Sequence, residues 1–236
     1  FVVLYTFIGG FLAESASDFM QGIVMIFALT AVLVFGISHA GGIKAVIDNA
    51  KTIPGFFDFF SIAQPQVIDG VQKIGENQQA LFGEASKYGI LSIISTLSWG
   101  LGYFGMPHVL LKFMAIKEPS ELTVSRRIAT VWVIISLTAA VGIGIIGRVL
   151  FPTELLTQSQ AENIFVIMSM DFFLPFLAGI VMAGILAATI SSSDSYLLIA
   201  ASALSKNIYQ GILKKDATDK EVLIVSRITL LIVALV

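Results

Sequence analysis

Residues 128–147 contain no Asp, Glu, Lys or Arg, and most of them are apolar. An α-helix needs roughly 20 such residues to cross the hydrocarbon core of a bilayer. Only 13% of the chain is charged, against about 25% in a soluble domain. The deficit comes from several long uncharged stretches of this kind. The sequence therefore predicts a multi-pass membrane protein.

The expected fold class is all-α, a polytopic transmembrane helical bundle forming a single transporter domain over residues 1–236. The predicted spans are about 15–38, 88–114, 127–150, 172–206 and 221–236. A stub with Gly9 and Gly10 precedes the first span, and the last span is truncated. Both chain ends lie within apolar runs, which indicates a fragment of a longer protein. In the loop at 41–87 we expect short interfacial helices, and another such helix near 158–170.

The charges of the loops predict the orientation of the spans, because Lys and Arg accumulate in cytoplasmic loops. The loops at 112–127 and 206–227 are rich in Lys and Arg and are expected inside. The loop at 151–171 has three acids and no Lys or Arg, and is expected outside together with the loop at 41–87. Arg148 lies near the outer end of the third span, from which its long stem is expected to reach the interface.

Several classes of function are excluded by what the sequence lacks. It has no cysteine, so disulfides and thiolate chemistry are impossible. It has no basic tract that would indicate a nucleic-acid partner. Its two histidines are His39 and His108, and we find no nucleophile–base pair. We therefore expect a protein that is not an enzyme.

The fourth predicted span contains the stretch TISSSDSYLLIA, in which hydroxyl groups surround a carboxylate. An ionisable residue inside a span is a functional candidate by default, because charge in the bilayer is costly. Ala188, Ser191, Ser192 and Ser195 share one helix face, and Asp194 borders that face. Oxygen ligands of this kind suit a hard cation.

Asp18 lies at the start of the first span and, like Asp194, toward the cytoplasmic side. Its carboxylate is favoured there by the helix N-terminus. Asp18 and Asp194 could therefore contribute to one or more cation sites. The alternatives are that the serines bond to carbonyls of their own helix or join helices together, and that Asp18 caps the helix after Ser15 and Ser17.

The second predicted span is interrupted by SWGLGYFGMPH, residues 98–108. Its G-x-G-x-x-G is not a dinucleotide motif, because no strand precedes it. Glycines and Pro107 weaken a helix, and unwound backbone in transporters holds substrate and ions. Trp99 and Tyr103 share a face and form an aromatic wall. The alternative is a glycine-lined helix contact, and His108 is interpreted as a packing residue.

The chain resembles the sodium:solute symporter family, and within it the sodium/proline symporters. Four stretches carry the resemblance: YTFIGGFLAESASDFMQ (5–21), SWGLGYFGMPHVLLKFMA (98–115), SRRIATVWVI (125–134) and GILAATISSSDSYLLIAASALSKNIY (184–209). The resemblance implies a leucine-transporter-like inverted-repeat fold, of which this chain would hold the end of core helix 4 through the start of core helix 9.

The resemblance also implies functional residues. The main sodium site would use the carbonyl of Ala188 and the hydroxyls of Ser191 and Ser192. A possible second sodium site would fall on Asp18, Asp194 and Ser195, together with Ser191. Substrate contacts would come from Trp99 and Tyr103, with Pro107 shaping the bend. Met106 stands where proline transporters are expected to have glutamine.

The function implied is sodium-coupled symport of a small organic solute, L-proline, by alternating access in the plasma membrane. The implied partners are the solute, sodium ions and the lipid bilayer. Two alternatives remain at this point. One is another solute of the same family, such as pantothenate or another amino acid. The other is a transport-dead membrane subunit that senses solute with the same fold.

Overall fold

The computed structural model describes residues 2–103 and 105–235. Helices make up 72% of it, which confirms the all-α transmembrane class. In chain order they are α1 (Val2–His39), α2 (Ile43–Ala50), α3 (Ile90–Tyr103), α4 (Pro107–Met114), α5 (Glu121–Leu150), α6 (Gln158–Ala161), α7 (Ile164–Phe172), α8 (Pro175–Ser202), a π-helix (Ala203–Leu213) and α9 (Asp219–Leu235).

Among the described residues, three helical segments are long and apolar enough to cross a bilayer: Val2–His39, Glu121–Leu150 and Pro175–Leu213. α1 includes the stub that the sequence placed before the first span, and its one non-helical residue is Gly10 (φ 55°, ψ −141°). A positive φ of this kind favours glycine, because it has no Cβ. The predicted span at 88–114 contains two helices, α3 and α4, because the helical backbone is interrupted before Pro107.

The loop at 41–87 contains strands that the sequence analysis did not predict, beside the short helix α2. Strand β1 (Ser61–Pro65) pairs antiparallel with β4 (Phe82–Lys87), and β2 (Val67–Ile68) pairs antiparallel with β3 (Val71–Gln72). Asp69 and Gly70 form the two-residue turn between β2 and β3, both with positive φ. This is the conformation that a tight hairpin requires.

The described residues form two compact units, here called the first unit (2–25, 105–117 and 183–235) and the second unit (26–103 and 118–182). The core of the second unit combines residues of four helices: Ala28, Val32, Ile143, Ile146, Met168 and Val181. Gly36 of α1 allows close approach here, since a Cβ at this position would meet Met168 Cε at 2.6 Å and Ile146 Cγ2 at 3.1 Å.

Arg148, in the second unit, is held by side chains of the loop at 41–87. Its Nε donates to Asn49 Oδ1 (3.2 Å), its Nη2 donates to Thr52 Oγ1 (3.4 Å), and the guanidinium lies 4.5 Å from the centre of the Phe82 ring. The sequence analysis expected the stem of this residue to extend to the membrane interface. The structure shows that polar and aromatic groups of the loop meet its charge.

The first unit contains the start of α9, which is capped by its own sequence. The backbone N–H of Thr218 donates to Glu221 Oε2 (2.8 Å), and the Glu221 N–H donates back to Thr218 Oγ1 (3.4 Å). This reciprocal pair is a capping box and fixes the first residue of the helix. Lys214 Nζ donates to Glu221 Oε1 (2.6 Å), which raises the pKa of Lys214 above its ordinary value.

Candidate functional site

The hydroxyl side chains of α8 divide into two groups by their hydrogen bonds. Thr189, Ser192 and Ser193 donate to carbonyls of their own helix, those of Ile185 (3.1 Å), Ala188 (3.2 Å) and Thr189 (2.9 Å). Ser191 and Ser195 instead donate to carboxylates of α1. The alternative of intrahelical bonding therefore describes part of the stretch, and the rest of it joins α8 to α1.

Ser191 and Asp18 are in direct contact in the first unit. Ser191 Oγ donates to Asp18 Oδ1 at 2.7 Å, and Asp18 retains a side-chain exposure of 17%. A hydroxyl that gives its proton to a carboxylate keeps both lone pairs for another partner. A carboxylate that accepts a hydrogen bond from a metal ligand fixes the orientation of the ligand and raises the basicity of the ligand. The arrangement leaves Ser191 suited to bind a cation.

Ala188 and Ser192 present two neighbouring oxygens, since the Ala188 carbonyl and Ser192 Oγ are 3.2 Å apart. For a cation–oxygen distance of about 2.4 Å, adjacent ligands of an octahedral site are about 3.4 Å apart. A single cation can therefore contact both oxygens with little movement of the helix. The Ser192 proton would then have to rotate away from the carbonyl.

Two charged residues that the sequence analysis did not select lie beside Asp18. Ser195 Oγ donates to Glu14 Oε1 (2.6 Å), and the Glu14 side chain is 1% exposed. Lys112 Nζ lies 2.5 Å from Asp18 Oδ2 and 3.8 Å from Glu14 Oε1. The available signal was the i, i+4 spacing of Glu14 and Asp18, which places both carboxylates on one helix face.

Asp194 is fully buried, and neither of its carboxylate oxygens has a hydrogen-bond partner among the described residues. The contacts of Asp18 are with Ser191 and Lys112, and the structure records none with Asp194. Within residues 2–103 and 105–235, no three side chains of the Asp, Glu, His and Cys types are grouped to hold a metal ion. The structure therefore records no hydrogen bond that joins the two acids of the predicted second site.

The residues predicted to contact substrate lie on α3 and at the start of α4. Trp99 (81% exposed) and Tyr103 (52% exposed) belong to α3 in the second unit. Met106 and Pro107 belong to the first unit, where Met106 has an extended backbone (φ −68°, ψ 123°) and Pro107 is the first residue of α4. His108 packs against Tyr196 with ring centres 4.8 Å apart.

The break at Gly10 borders a cavity of about 470 Å³ in the first unit. The guanidinium of Arg227 lines this cavity, 5.3 Å from the centre of the Phe7 ring, and its Nη2 lies 3.5 Å from the Ile8 carbonyl. Helical carbonyls that lose their amide partners need other donors. Arg227 therefore supplies one such donor at the break.

Comparison with known proteins gives a consistent result over the whole chain. The model of the sodium:solute symporter family matches residues 1–236. The osmoregulated proline transporter OpuE of Bacillus subtilis is 37% identical over 235 residues, which are 100% of this chain and 43% of the relative. The sodium/proline symporter of Escherichia coli is 37% identical over 238 residues, covering 99% of this chain and 43% of the relative. The high-affinity proline transporter PutP of Bacillus subtilis is 34% identical over 236 residues, covering 100% and 45%. The chain thus spans less than half the length of these relatives.

Proposed function

Because this chain belongs to the sodium:solute symporter family, we propose that the full-length protein imports a small organic solute, L-proline, together with sodium. The family is one of transporters rather than enzymes. The chain is a multi-pass protein of the plasma membrane, with three long apolar helices. Sodium moving down its gradient would drive the solute inward by alternating access.

The observation that carries the proposal is the oxygen cluster on α8. The Ala188 carbonyl and Ser192 Oγ are adjacent, and Ser191 is oriented by Asp18. We propose that these three residues of α8 bind the transported sodium ion. Uncharged oxygens suit a transported ion, because they bind it weakly enough to release it.

The proline assignment is supported by the relatives, three of which are named as proline transporters. We propose that Trp99 and Tyr103 contact the solute, since exposed aromatic side chains at i, i+4 offer a flat apolar surface and one hydroxyl. Met106 and Pro107, at the start of α4, are proposed separately as solute contacts. A methionine at 106 offers shape and polarizability but almost no hydrogen bonding.

The second sodium site that the resemblance implies draws on residues with different surroundings. Ser195 donates to Glu14, and Lys112 lies beside both Glu14 and Asp18. Asp194 is buried, and neither of its carboxylate oxygens has a hydrogen-bond partner among the described residues. We propose that a cation at this second position lies beside Asp18 and Ser195, and that Asp194 is not one of its ligands.

The test is uptake of labelled solutes by the purified full-length protein in proteoliposomes. Proline and pantothenate are compared with an inward sodium gradient, with equal sodium on both sides, and with potassium replacing sodium. We expect accumulation of proline only with the gradient. Sodium-driven accumulation of pantothenate instead would change the substrate, and proline binding without any uptake would favour a solute sensor.

A further inference from the structure

Two carboxylates of α1 lie on one face of the helix and share a single cation. Glu14 is 1% exposed, and Asp18 is 17% exposed at the side chain. The cation is Lys112, in the last turn of α4, whose side chain is 44% exposed. Its ammonium group therefore reaches from a partly exposed position toward one buried and one partly buried carboxylate.

Each of the four carboxylate oxygens has a distinct environment. Asp18 Oδ1 accepts from Ser191 (2.7 Å), and Asp18 Oδ2 accepts from Lys112 (2.5 Å). Glu14 Oε1 accepts from Ser195 (2.6 Å) and lies 3.8 Å from Lys112 Nζ. Glu14 Oε2 is buried and has no hydrogen-bond partner among the described residues. The acid pair thus offers more acceptor capacity than the serines and the lysine use.

The charges do not balance within this cluster, which holds two carboxylates and one ammonium group. Buried charges are tolerated when they are paired, and removing one partner leaves the other uncompensated. An ammonium group and a sodium ion carry the same charge, and both are bound by oxygen atoms. One can therefore take the place of the other between the two acids.

We infer that the ammonium group of Lys112 is a tethered cation that occupies, between Glu14 and Asp18, the position that a second transported sodium ion would otherwise take. The protein then couples one sodium ion, bound by α8, to each solute molecule. This inference rests on the proposed sodium-coupled uptake. It gives Lys112 a role in setting the number of ions transported, beyond that of a loop charge.

The experiment counts sodium ions on the full-length protein in two ways. Equilibrium binding of ²²Na⁺ to purified protein gives the number of sites without requiring transport. Simultaneous uptake of ²²Na⁺ and labelled proline in proteoliposomes gives the coupling ratio. We expect one saturable sodium site and a ratio of one in the wild type, and two sites with a ratio of two in Lys112→Met.

Two control variants separate loss of the cation from a change in shape. Lys112→Arg keeps the positive charge and should keep one sodium site. The double variant Lys112→Met/Glu14→Gln lacks one acid and one base, so the cluster keeps its wild-type net charge and should also bind one sodium ion. If Lys112→Met does not fold, two sodium sites in the wild type or in this charge-matched variant would still overturn the inference.

The outcomes distinguish this inference from the proposed function. Two sodium sites in the wild type, one site in a folded Lys112→Met, or two sites in the charge-matched variant would each overturn the tethered cation. An absence of sodium-dependent proline uptake in the wild type would overturn the proposed function. In that case the binding measurement alone still counts the sites and decides the role of Lys112.

Discussion

Ser191 and Ser192 are adjacent in sequence but have different partners in the structure. Ser191 donates to Asp18, and Ser192 donates to the carbonyl of Ala188 in its own helix. Both hydroxyls can bind a cation through lone pairs that these bonds leave free or release. Their contributions to sodium binding can therefore be measured separately.

The first prediction concerns these two hydroxyls. Ser191→Ala and Ser192→Ala should each raise the sodium concentration for half-maximal uptake tenfold or more, since a bond to a charged group is worth about 1.5–3 kcal/mol. The measurement is initial proline uptake against sodium concentration. Ser193→Ala is the matched control, because Ser193 donates to the Thr189 carbonyl and is not among the proposed ligands. Unchanged sodium dependence in both variants would remove α8 from the sodium site.

Asp18 is the subject of the second prediction. Asp18→Asn keeps the shape of the side chain but weakens its bond to Ser191 and removes the charge facing Lys112. Loss of such an orienting carboxylate typically reduces metal affinity by about 10–100-fold. We therefore expect Asp18→Asn to lower the affinity for ²²Na⁺ by that factor. Asp171→Asn, at an exposed position, should change the affinity little. Equal affinity in the two variants would show that Asp18 does not support the site.

The third prediction tests the aromatic surface of α3. Trp99→Ala should raise the proline concentration for half-maximal uptake about tenfold or more, since a buried aromatic contact is worth about 1.5–3 kcal/mol. Its effect on the sodium dependence should be small. Trp132→Ala, at the other tryptophan of the chain, is the control. A Trp99→Ala protein with normal proline dependence would argue against this contact.

At the scale of single residues, the sequence predicted the hydroxyl stripe but missed its charged neighbours. Glu14 was overlooked because the first span was predicted to begin after it, whereas α1 extends from Val2. Lys112 was counted among the charges of a loop, whereas it contacts Asp18. Both contacts depend on which helices pack together, and no periodicity along the chain contains that information.

At the scale of secondary-structure elements, the main features are helix interruptions and close helix contacts. The sequence indicated the interruption before Pro107, because proline and clustered glycines disfavour a continuous helix. The β2–β3 hairpin was missed although Asp69-Gly70, a strong hairpin signal, lies between Val67–Ile68 and Val71–Gln72. The polar composition of the surrounding loop obscured this signal.

The fourth prediction tests the close approach at Gly36. A Cβ at this position would lie 2.6 Å from Met168 Cε, so Gly36→Ala should force a shift in the core of the second unit. Overpacking of this kind costs about 1–3 kcal/mol. We expect a lower Tm for the purified protein in detergent. Gly22→Ala is matched in residue type and helix, and there the added methyl group meets nothing within 4 Å. Equal Tm values for both variants would contradict the packing of α1 against α7.

At the scale of the whole molecule, successive spans are expected to cross the membrane in opposite directions, as the charges of the loops predict. The composition of the chain was enough to establish the membrane class. Composition was not enough to predict the length of each helix, because α1 and α5 extend beyond the purely apolar stretches.

The fifth prediction tests this orientation by labelling single cysteines. The sequence printed here has none, so each introduced cysteine can be read without interference from this region. Cysteines at Glu76 and Gln158 should react with an impermeant maleimide from outside right-side-out vesicles. Cysteines at Lys117 and Asp216 should react only after the membrane is opened, because Lys and Arg mark cytoplasmic loops. The reverse pattern would invert the proposed topology.

The π-helix at Ala203–Leu213 has a consequence for how the family can vary in length. Its hydrogen bonds join residues five apart, so it contains about one more residue per turn than an α-helix. Losing a single residue there would let one turn of the segment rewind as an α-helix with the ends of that turn nearly in place. The same loss within Pro175–Ser202 would turn Ser191 and Ser195 away from the carboxylates of α1. In an alignment of the family, we therefore expect single-residue gaps to fall after Ser202 rather than before it.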